Sequence, residues 1–341
     1  MTPSEEFERL TAPLRRELVA HCYRMTGSAD EAEDLVQETY LRAWRSYARF
    51  EGRSSLRTWL YRIATNVCLR AIERRGRRAL PAGLGLPGDD PEGPVDAAAR
   101  DVPWLQPFPG PVNHPEPADP AAVVASRAGM RLALIASLQY LSAWQRAVLI
   151  LRDVLDWPAA ETALVLGTTT TAVNSALRRA RARLERVVPA AEDIAEPADP
   201  RQRELASRYA AAFENADLAA LVALVTEDVT LEMPPLPAWF AGVGPVSRFL
   251  ASHVLTGPGQ FAVIPAVANG QPAFASYRRE PDGSYRAHAI QVLSTARGRI
   301  NRIVIFLDPG LFTMFGLPRT HHAAPAPGAP RLPLSSRPCS P

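Results

Sequence analysis

Two all-α helical domains followed by an α+β domain: this multidomain architecture is what the 341 residues predict. Three observations carry it. Charge sorts into blocks: residues 1–80 hold 15 arginines against 11 acids, residues 81–120 one arginine against seven acids with eleven prolines, and residues 121–188 nine arginines against four acids. Apolar residues recur at helical spacing within both basic blocks. From Gln202 onward, helical spacing gives way to short β-branched and aromatic runs punctuated by Asn269-Gly270, Asp282-Gly283 and Arg297-Gly298, which read as hairpin turns. The expected boundaries are a first helical domain at 1–80, an acidic Pro-rich linker at 81–129, a second helical domain at 130–188, a short linker at 189–201, an α+β domain at 202–318 and a disordered tail at 319–341.

Composition narrows the class. The formal net charge is only +3, so the charge blocks carry more information than the total. No lysine occurs: all 38 cations are arginines, whose planar fork can make two parallel hydrogen bonds to a phosphate. The three cysteines, Cys22, Cys68 and Cys339, are far apart and form no metal-ligand or disulfide pattern. The start, "MTPSEEFERL", lacks the basic and apolar regions of a signal peptide, and no run approaches the ~18 apolar residues of a membrane helix. A cytoplasmic protein with no membrane, metal or cofactor requirement is expected.

In the first domain, "SADEAEDLVQETYLRAW" predicts a helix capped by Ser28 or Asp30, with Ala32, Leu35, Val36, Thr39 and Ala43 inward. Asp30, Asp34 and Glu38 line another face. Carboxylates four residues apart repel, so the row suits a cationic partner; a solubilising face favoured by the helix dipole has the same pattern. "SSLRTWLYRIATNVCLRAIERRGRR" predicts a second helix with Trp59, Tyr61, Arg62 and Asn66 ahead of Arg70, Arg74, Arg75, Arg77 and Arg78. Aromatics beside arginines suit unstacked bases, where stacking contributes ~1–3 kcal/mol per base. Trp59 and Ile63, four apart, also read as core.

Prolines exclude a helical linker. A flexible chain of about 40 residues spans ~35 Å root-mean-square, so the linker is expected to hold the two basic domains apart. Its island "DVPWLQPFPG" places Trp104, Leu105 and Phe108 in an acidic, Pro-rich setting, and the island is expected to dock on the third domain.

In the second domain, "DWPAAETALVLGTTTTAVNSALRRARARLERV" predicts a short helix near Ala159–Leu166, a left-handed Gly167, and a second helix capped near Thr169 or Thr170. Val173, Leu177, Ala180 and Leu184 face inward; Thr171, Asn174, Ser175 and Arg178 face outward. This is the helix-turn-helix arrangement. Thr170, Thr171, Asn174 and Ser175 would meet base edges, and Arg178, Arg179, Arg181, Arg183 and Arg186 would meet phosphates. A solvated basic helix shares the arginines.

The third domain opens with two helices in "RELASRYAAAFENADLAALVALV" and continues with strands in "DVTLEM", "FAVIPAVANG", "AFASYRRE", "YRAHAIQVLSTARG" and "RINRIVIFLD". Glu232, Trp239, His253, His288 and Asp308 are the pocket candidates. Strand alternation puts Arg286, His288, Ile290 and Val292 on one side, with His288 directed inward; a hydrogen-bonded core histidine is the plainer alternative. No base, nucleophile and orienting group can be assembled from spacing, and no catalytic residue is assigned.

"DEAEDLVQETYLRAW", "LRTWLYRIATNVCL" and "LSAWQRAVLILRDVLDWPAAETALVLGTTTTAVNSALRRARARL" resemble regions 2 and 4 of the sigma-70 family RNA polymerase sigma factors, extracytoplasmic-function group, over about residues 10–80 and 130–188. The resemblance implies core RNA polymerase and promoter DNA as partners. Asp30, Asp34, Leu35, Gln37 and Glu38 would dock on the β′ clamp helices, and the polymerase β flap would be a second contact. Trp59, Arg62, Asn66, Arg70, Arg74 and Arg75 would melt and read the −10 element, with Asn66 where the family captures a flipped base. The helix from Thr170 to Arg186 would read the −35 element, and the acidic linker would thread toward the RNA-exit path. "LEMPPLPAWFAG" and "FLDPGLFTMFGLP" resemble the SnoaL-like branch of the nuclear transport factor 2-like fold, over about residues 202–318. That implies a cone-shaped domain regulating the factor, with room for a small apolar ligand. Two alternatives stay open: a cyclase, isomerase or hydrolase with a regulatory DNA-binding half, and a helix-turn-helix repressor acting without polymerase.

Overall fold

The computed structural model describes residues 2–52, 54–95, 98–99, 101–110, 130–186 and 200–321. The first domain is four helices: α1 (Pro3–Thr11), α2 (Arg15–Thr26), α3 (Ala29–Tyr47) and α4 (Leu56–Arg75). Local chemistry sets their ends. Thr2 and Glu5 form a capping box on α1, Ser28 Oγ accepts from the Glu31 amide at the start of α3, and Ser55 Oγ accepts from the Thr58 amide at the start of α4. Leu18, Cys22, Ala32, Val36, Leu60, Ala64 and Cys68 form the core between α2, α3 and α4.

The second domain contains α5 (Leu132–Leu138), α6 (Ala143–Leu149), α7 (Ala159–Leu166) and α8 (Thr170–Leu184). Gly167 closes α7 in the left-handed region (φ 63°), and Thr169 Oγ1 accepts from the Ala172 amide 3.2 Å away. These two residues make the turn between α7 and α8.

The third domain carries α9 (Pro200–Glu214), α10 (Leu218–Val222), α11 (Val243–Phe249) and α12 (Leu311–Met314) with seven strands: β1 (Val225–Glu232), β2 (Trp239–Ala241), β3 (Phe261–Ala268), β4 (Gln271–Arg279), β5 (Tyr285–Ala296), β6 (Arg299–Phe306) and β7 (Thr320–His321). The sheet order is β2-β1-β6-β5-β4-β3, with β1 and β6 parallel, the other pairs antiparallel, and β7 added beside the start of β5. Its inner face packs Phe261, Phe274 and Leu293 against Tyr209 and Phe213 of α9 and Phe249 of α11. Its outer face, with Ala273, Ala275, Tyr277, Ile290, Val292 and Val304, belongs to one apolar core with both helical domains. Among the described residues, no helix is long and apolar enough to cross a membrane.

Two expectations are corrected. The linker does not hold the helical domains apart. Helix α4 packs on α6 and α7; the Tyr61 and Trp157 rings lie 4.8 Å apart; Thr58 Oγ1 donates to Glu161 Oε1 at 2.7 Å; and Arg146 donates to the Met25 carbonyl. The described linker is pinned rather than loose, because proline forbids helix but leaves the other amides free to pair. Thus Leu105 N–H donates to Ala79 O (2.9 Å), Gly88 N–H to Trp239 O (2.7 Å), Ala99 N–H to Pro235 O (2.9 Å) and Gly110 N–H to Val267 O (2.8 Å).

Strand alternation also fails at His288. Ala287 opposes Tyr277 while Ala289 opposes the adjacent Ser276, so His288 is an extra residue in a bulge. The bulge turns Ile290 and Val292 to the outer face, whereas the His288 ring lies against inner-face Phe261, 5.5 Å between centroids.

Candidate nucleic-acid interface

Helix α8 presents Thr170, Thr171, Asn174, Arg178 and Arg179 to solvent while Val173, Ala176, Leu177 and Ala180 are buried; Ser175 is half-buried. Polar groups therefore stand at the N-terminal end and guanidinium groups follow, an arrangement that suits base edges and then phosphates. Not every arginine is equally available. Arg181 clasps Asp153 through Nε–Oδ2 (2.9 Å) and Nη2–Oδ1 (2.7 Å), and these hydrogen bonds hold its pKa above the usual arginine value. Arg183 Nε donates to the Tyr140 carbonyl at 2.7 Å.

A second stripe runs along α4. Arg62, Asn66, Arg70 and Arg74 recur every four residues and are exposed. Trp59 is half-buried, its ring 4.8 Å from that of Phe50. Arg75 and Arg78 flank the buried Glu31 carboxylate at 3.3 and 3.1 Å, so Arg75 is partly occupied inside its own domain.

On α3, Asp30, Asp34 and Gln37 are exposed, while Leu35 and Glu38 are half-buried and Glu38 accepts from Arg42 Nε at 2.6 Å. The exposed stripe continues through two residues that sequence reasoning missed, Leu41 (54% exposed) and Trp44 (42%). Their signal was available: they follow Gln37 at steps of four and three, off the inward stripe. Large exposed apolar side chains beside carboxylates suit a protein surface more than nucleic acid.

Residues 10–78 match the Sigma-70 region 2 family, residues 131–184 the Sigma-70, region 4 family, and residues 206–303 the SnoaL-like domain family. The chain is 50% identical over 315 residues to the ECF RNA polymerase sigma factor SigG of Mycobacterium tuberculosis, covering 92% of this chain and 84% of that one. This chain is an ECF RNA polymerase sigma factor. It is also 30% identical to the sigma factor SigJ of the same species, covering 90% of this chain and 92% of that one. A crystal structure of SigJ shares its fold, with a TM-score of 0.58 and 23% identity over 92% of this chain and 100% of that one. The sigma factor thus has regions 2 and 4 followed by a SnoaL-like α+β domain.

In this sigma factor the third-domain candidates do not converge on one cavity. Glu232 opposes outer-face Val304, and Trp239 opposes Glu232, so both face away from the cone interior. Glu232 is fully buried: Oε1 accepts from Arg302 Nε (2.8 Å) and Nη2 (2.5 Å), and Oε2 accepts from the linker amide of Ala82 (2.9 Å). Trp239 Nε1 donates to the linker carbonyl of Gly85 at 3.1 Å. His253 lies over Phe249, 4.9 Å between centroids. Burial pushes the His288 pKa down to about 4, with Arg278 assisting, so the ring is neutral near pH 7. Asp308 Oδ1 accepts from the Gly310 amide at 2.7 Å, shaping the turn before α12. Aromatic side chains fill the cone interior where the resemblance places an apolar ligand.

The linker island splits. The Trp104 carbonyl accepts from Arg78 (3.0 Å), its Nε1 donates to the Ala99 carbonyl (2.9 Å), and Leu105 is buried beside Ala79. Of the three, Phe108 meets the third domain, as do Pro109 and Gly110 after it: the Phe108 N–H donates to Asn269 Oδ1 (2.9 Å), its carbonyl accepts from Asn269 N–H (2.8 Å), and its ring lies 4.7 Å from that of Tyr23.

Proposed function

We propose that this sigma factor docks on the β′ clamp helices of core RNA polymerase through Asp30, Asp34, Gln37, Leu41 and Trp44, with Leu35 and Glu38 supporting that face. Arg62, Asn66, Arg70 and Arg74 engage the −10 element as its strands part, with Trp59 and Arg75 at the flanks. Thr170, Thr171, Asn174, Ser175, Arg178 and Arg179 read the −35 element. Two exposed polar and cationic stripes, one on each sigma region, carry this reading. The action is binding and strand separation, and no covalent step is invoked.

The third domain regulates that activity by holding the linker. Elements centred about 25 base pairs apart span roughly 85 Å of B-form duplex at 3.4 Å per step. Regions 2 and 4, in contact here, must part to occupy both. Glu232, Trp239, Pro235 and Asn269 grip linker backbone or side chains that travel with that separation. The scatter of pocket candidates gives the enzyme reading no comparable support. Run-off transcription with core polymerase and full-length chain tests the reading: specific transcripts and strand opening at the start site are expected. A chain that does not associate with core polymerase, or leaves the strands closed, refutes it.

A further inference from the structure

Gln106, in the linker, sits on the N-terminus of α3, the helix assigned above to polymerase docking. Its Oε1 accepts from Ser28 Oγ (2.6 Å), Ala29 N–H (3.1 Å) and Asp30 N–H (3.4 Å), and its Nε2 donates to Asp30 Oδ2 (2.9 Å). Free backbone amides at a helix start are strong donors, and one linker side chain occupies them together with the first carboxylate of the docking stripe. The Gln106 backbone is fixed as well: its N–H donates to Gly27 O at 3.0 Å, and its carbonyl accepts from Tyr23 Oη at 2.9 Å.

The same Tyr23 hydroxyl accepts from Asn269 Nδ2 at 2.7 Å. Asn269 lies in the β3–β4 turn of the third domain, at φ 56° and 1% exposed, and its amide also donates to Met130 O at 2.8 Å. One buried side chain thus links the third domain, the linker at Phe108, region 2 at Tyr23 and the start of region 4.

The geometry points to Gln106 as an intramolecular plug on the polymerase-docking end of α3, held in place by Asn269 through Tyr23. Buried hydrogen-bond chains act as units, because a member left without its partner is costly. Displacing the third-domain turn removes the donor to Tyr23, loosens the Gln106 backbone, and frees the Asp30 carboxylate and the α3 amides from Gln106 for polymerase. The inference rests on the polymerase-docking role of α3.

The test is the affinity of full-length protein for core polymerase, without DNA. Gln106→Ala removes the plug. Gln106→Glu keeps its size and sets a carboxylate against Asp30. Asn269→Gly keeps the left-handed turn and removes the amide. All three are expected to bind core polymerase about 3- to 10-fold more tightly, and Gln106→Ala combined with Asn269→Gly no more tightly than the stronger single variant. Melting curves confirm that the variants are folded. Unchanged or weaker affinity in both Gln106 variants overturns the plug, and a double variant equal to the product of the singles overturns the link to Asn269. Failure of the wild-type chain to bind at all would instead refute the docking role of α3.

Discussion

The two faces of the third-domain sheet are built from the same strands but solve different problems. The inner face carries bulky aromatics, Phe240, Phe261 and Phe274, and is closed by the domain's own helices. The outer face carries Ala268, Ala273, Ala275, Ile290 and Val292, small or β-branched side chains that let a second layer approach closely. Polar residues on it or at its edge also find partners outside the domain: Glu232 with Ala82, Asn269 of the β3–β4 turn with Tyr23 and Phe108, and Gln271 Oε1 with the Leu132 amide at the start of α5, 2.8 Å away. The period of two along a strand therefore gives the domain a private core on one side and a surface shared with the sigma regions on the other. In this chain the contacts to the rest of the factor leave from the outside of the cone.

The largest expected effects set one face against the other. Phe274→Ala opens an inner cavity and should cost ~3–5 kcal/mol. Glu232→Ala leaves the mostly buried Arg302 guanidinium without its carboxylate, a loss of similar size, ~3–5 kcal/mol. Well below either melting temperature, limited proteolysis should separate them. Cleavage between residues 82 and 99 should rise in Glu232→Ala, which has lost the Ala82 anchor, and stay at the wild-type rate in Phe274→Ala. Equal linker cleavage in the two variants would break the contrast between faces.

A smaller effect assigns one buried histidine to each core. Burial and the nearby Arg24 push His21 down to about 3, its Nε2 3.0 Å from Thr65 Oγ1, while His288 sits near 4 by burial and Arg278. Both folded values lie below the ordinary 6.5. The unfolded chain therefore binds more protons below pH 6.5, and stability present above that pH is lost as pH falls toward the folded values. Between pH 6.5 and 5 each ring should cost about 2 kcal/mol. Denaturant titrations across that range should show a slope that His21→Gln and His288→Gln each roughly halve. A double variant that keeps the wild-type slope would show that other groups set it.

Much of this was legible in the sequence, for identifiable reasons. Ser28, Gly167, Thr169 and the turns at Asn269-Gly270 and Arg297-Gly298 act through local backbone chemistry, and the inward stripe of α8 follows from helical spacing. Long-range pairing was not legible. Alternation cannot reveal a bulge at His288, because the shift is set by the partner strand. Glu232 and Trp239 read as pocket residues because their types suit one; only the sheet's pairing turns them toward the linker. Gln106 had no signal of its own, being one polar residue in a Pro-rich run, and its role comes from α3 and Tyr23, both distant in sequence. Leu41 and Trp44 could have been found by treating apolar residues off the inward stripe as a question.

Occupied and available groups also differ along α8, where the smallest effect is expected. Arg178 has no carboxylate partner among the described residues, whereas Arg181 is clasped by Asp153 in an exposed pair. Such pairs contribute only ~0–1 kcal/mol, yet Arg181 must leave Asp153 before it can meet a phosphate, and that offsets part of the gain. Arg178→Ala should therefore weaken binding to a −35 duplex by about 10-fold and, if the contact is to phosphate, reduce the slope of log affinity against log salt by about one. Arg181→Ala should weaken it by no more than about 2-fold, and Asp153→Asn, which frees Arg181, should strengthen it slightly. Equal losses at the two arginines would show that the pair with Asp153 gives way to DNA without cost, and the distinction between occupied and available guanidinium groups would not extend to this helix.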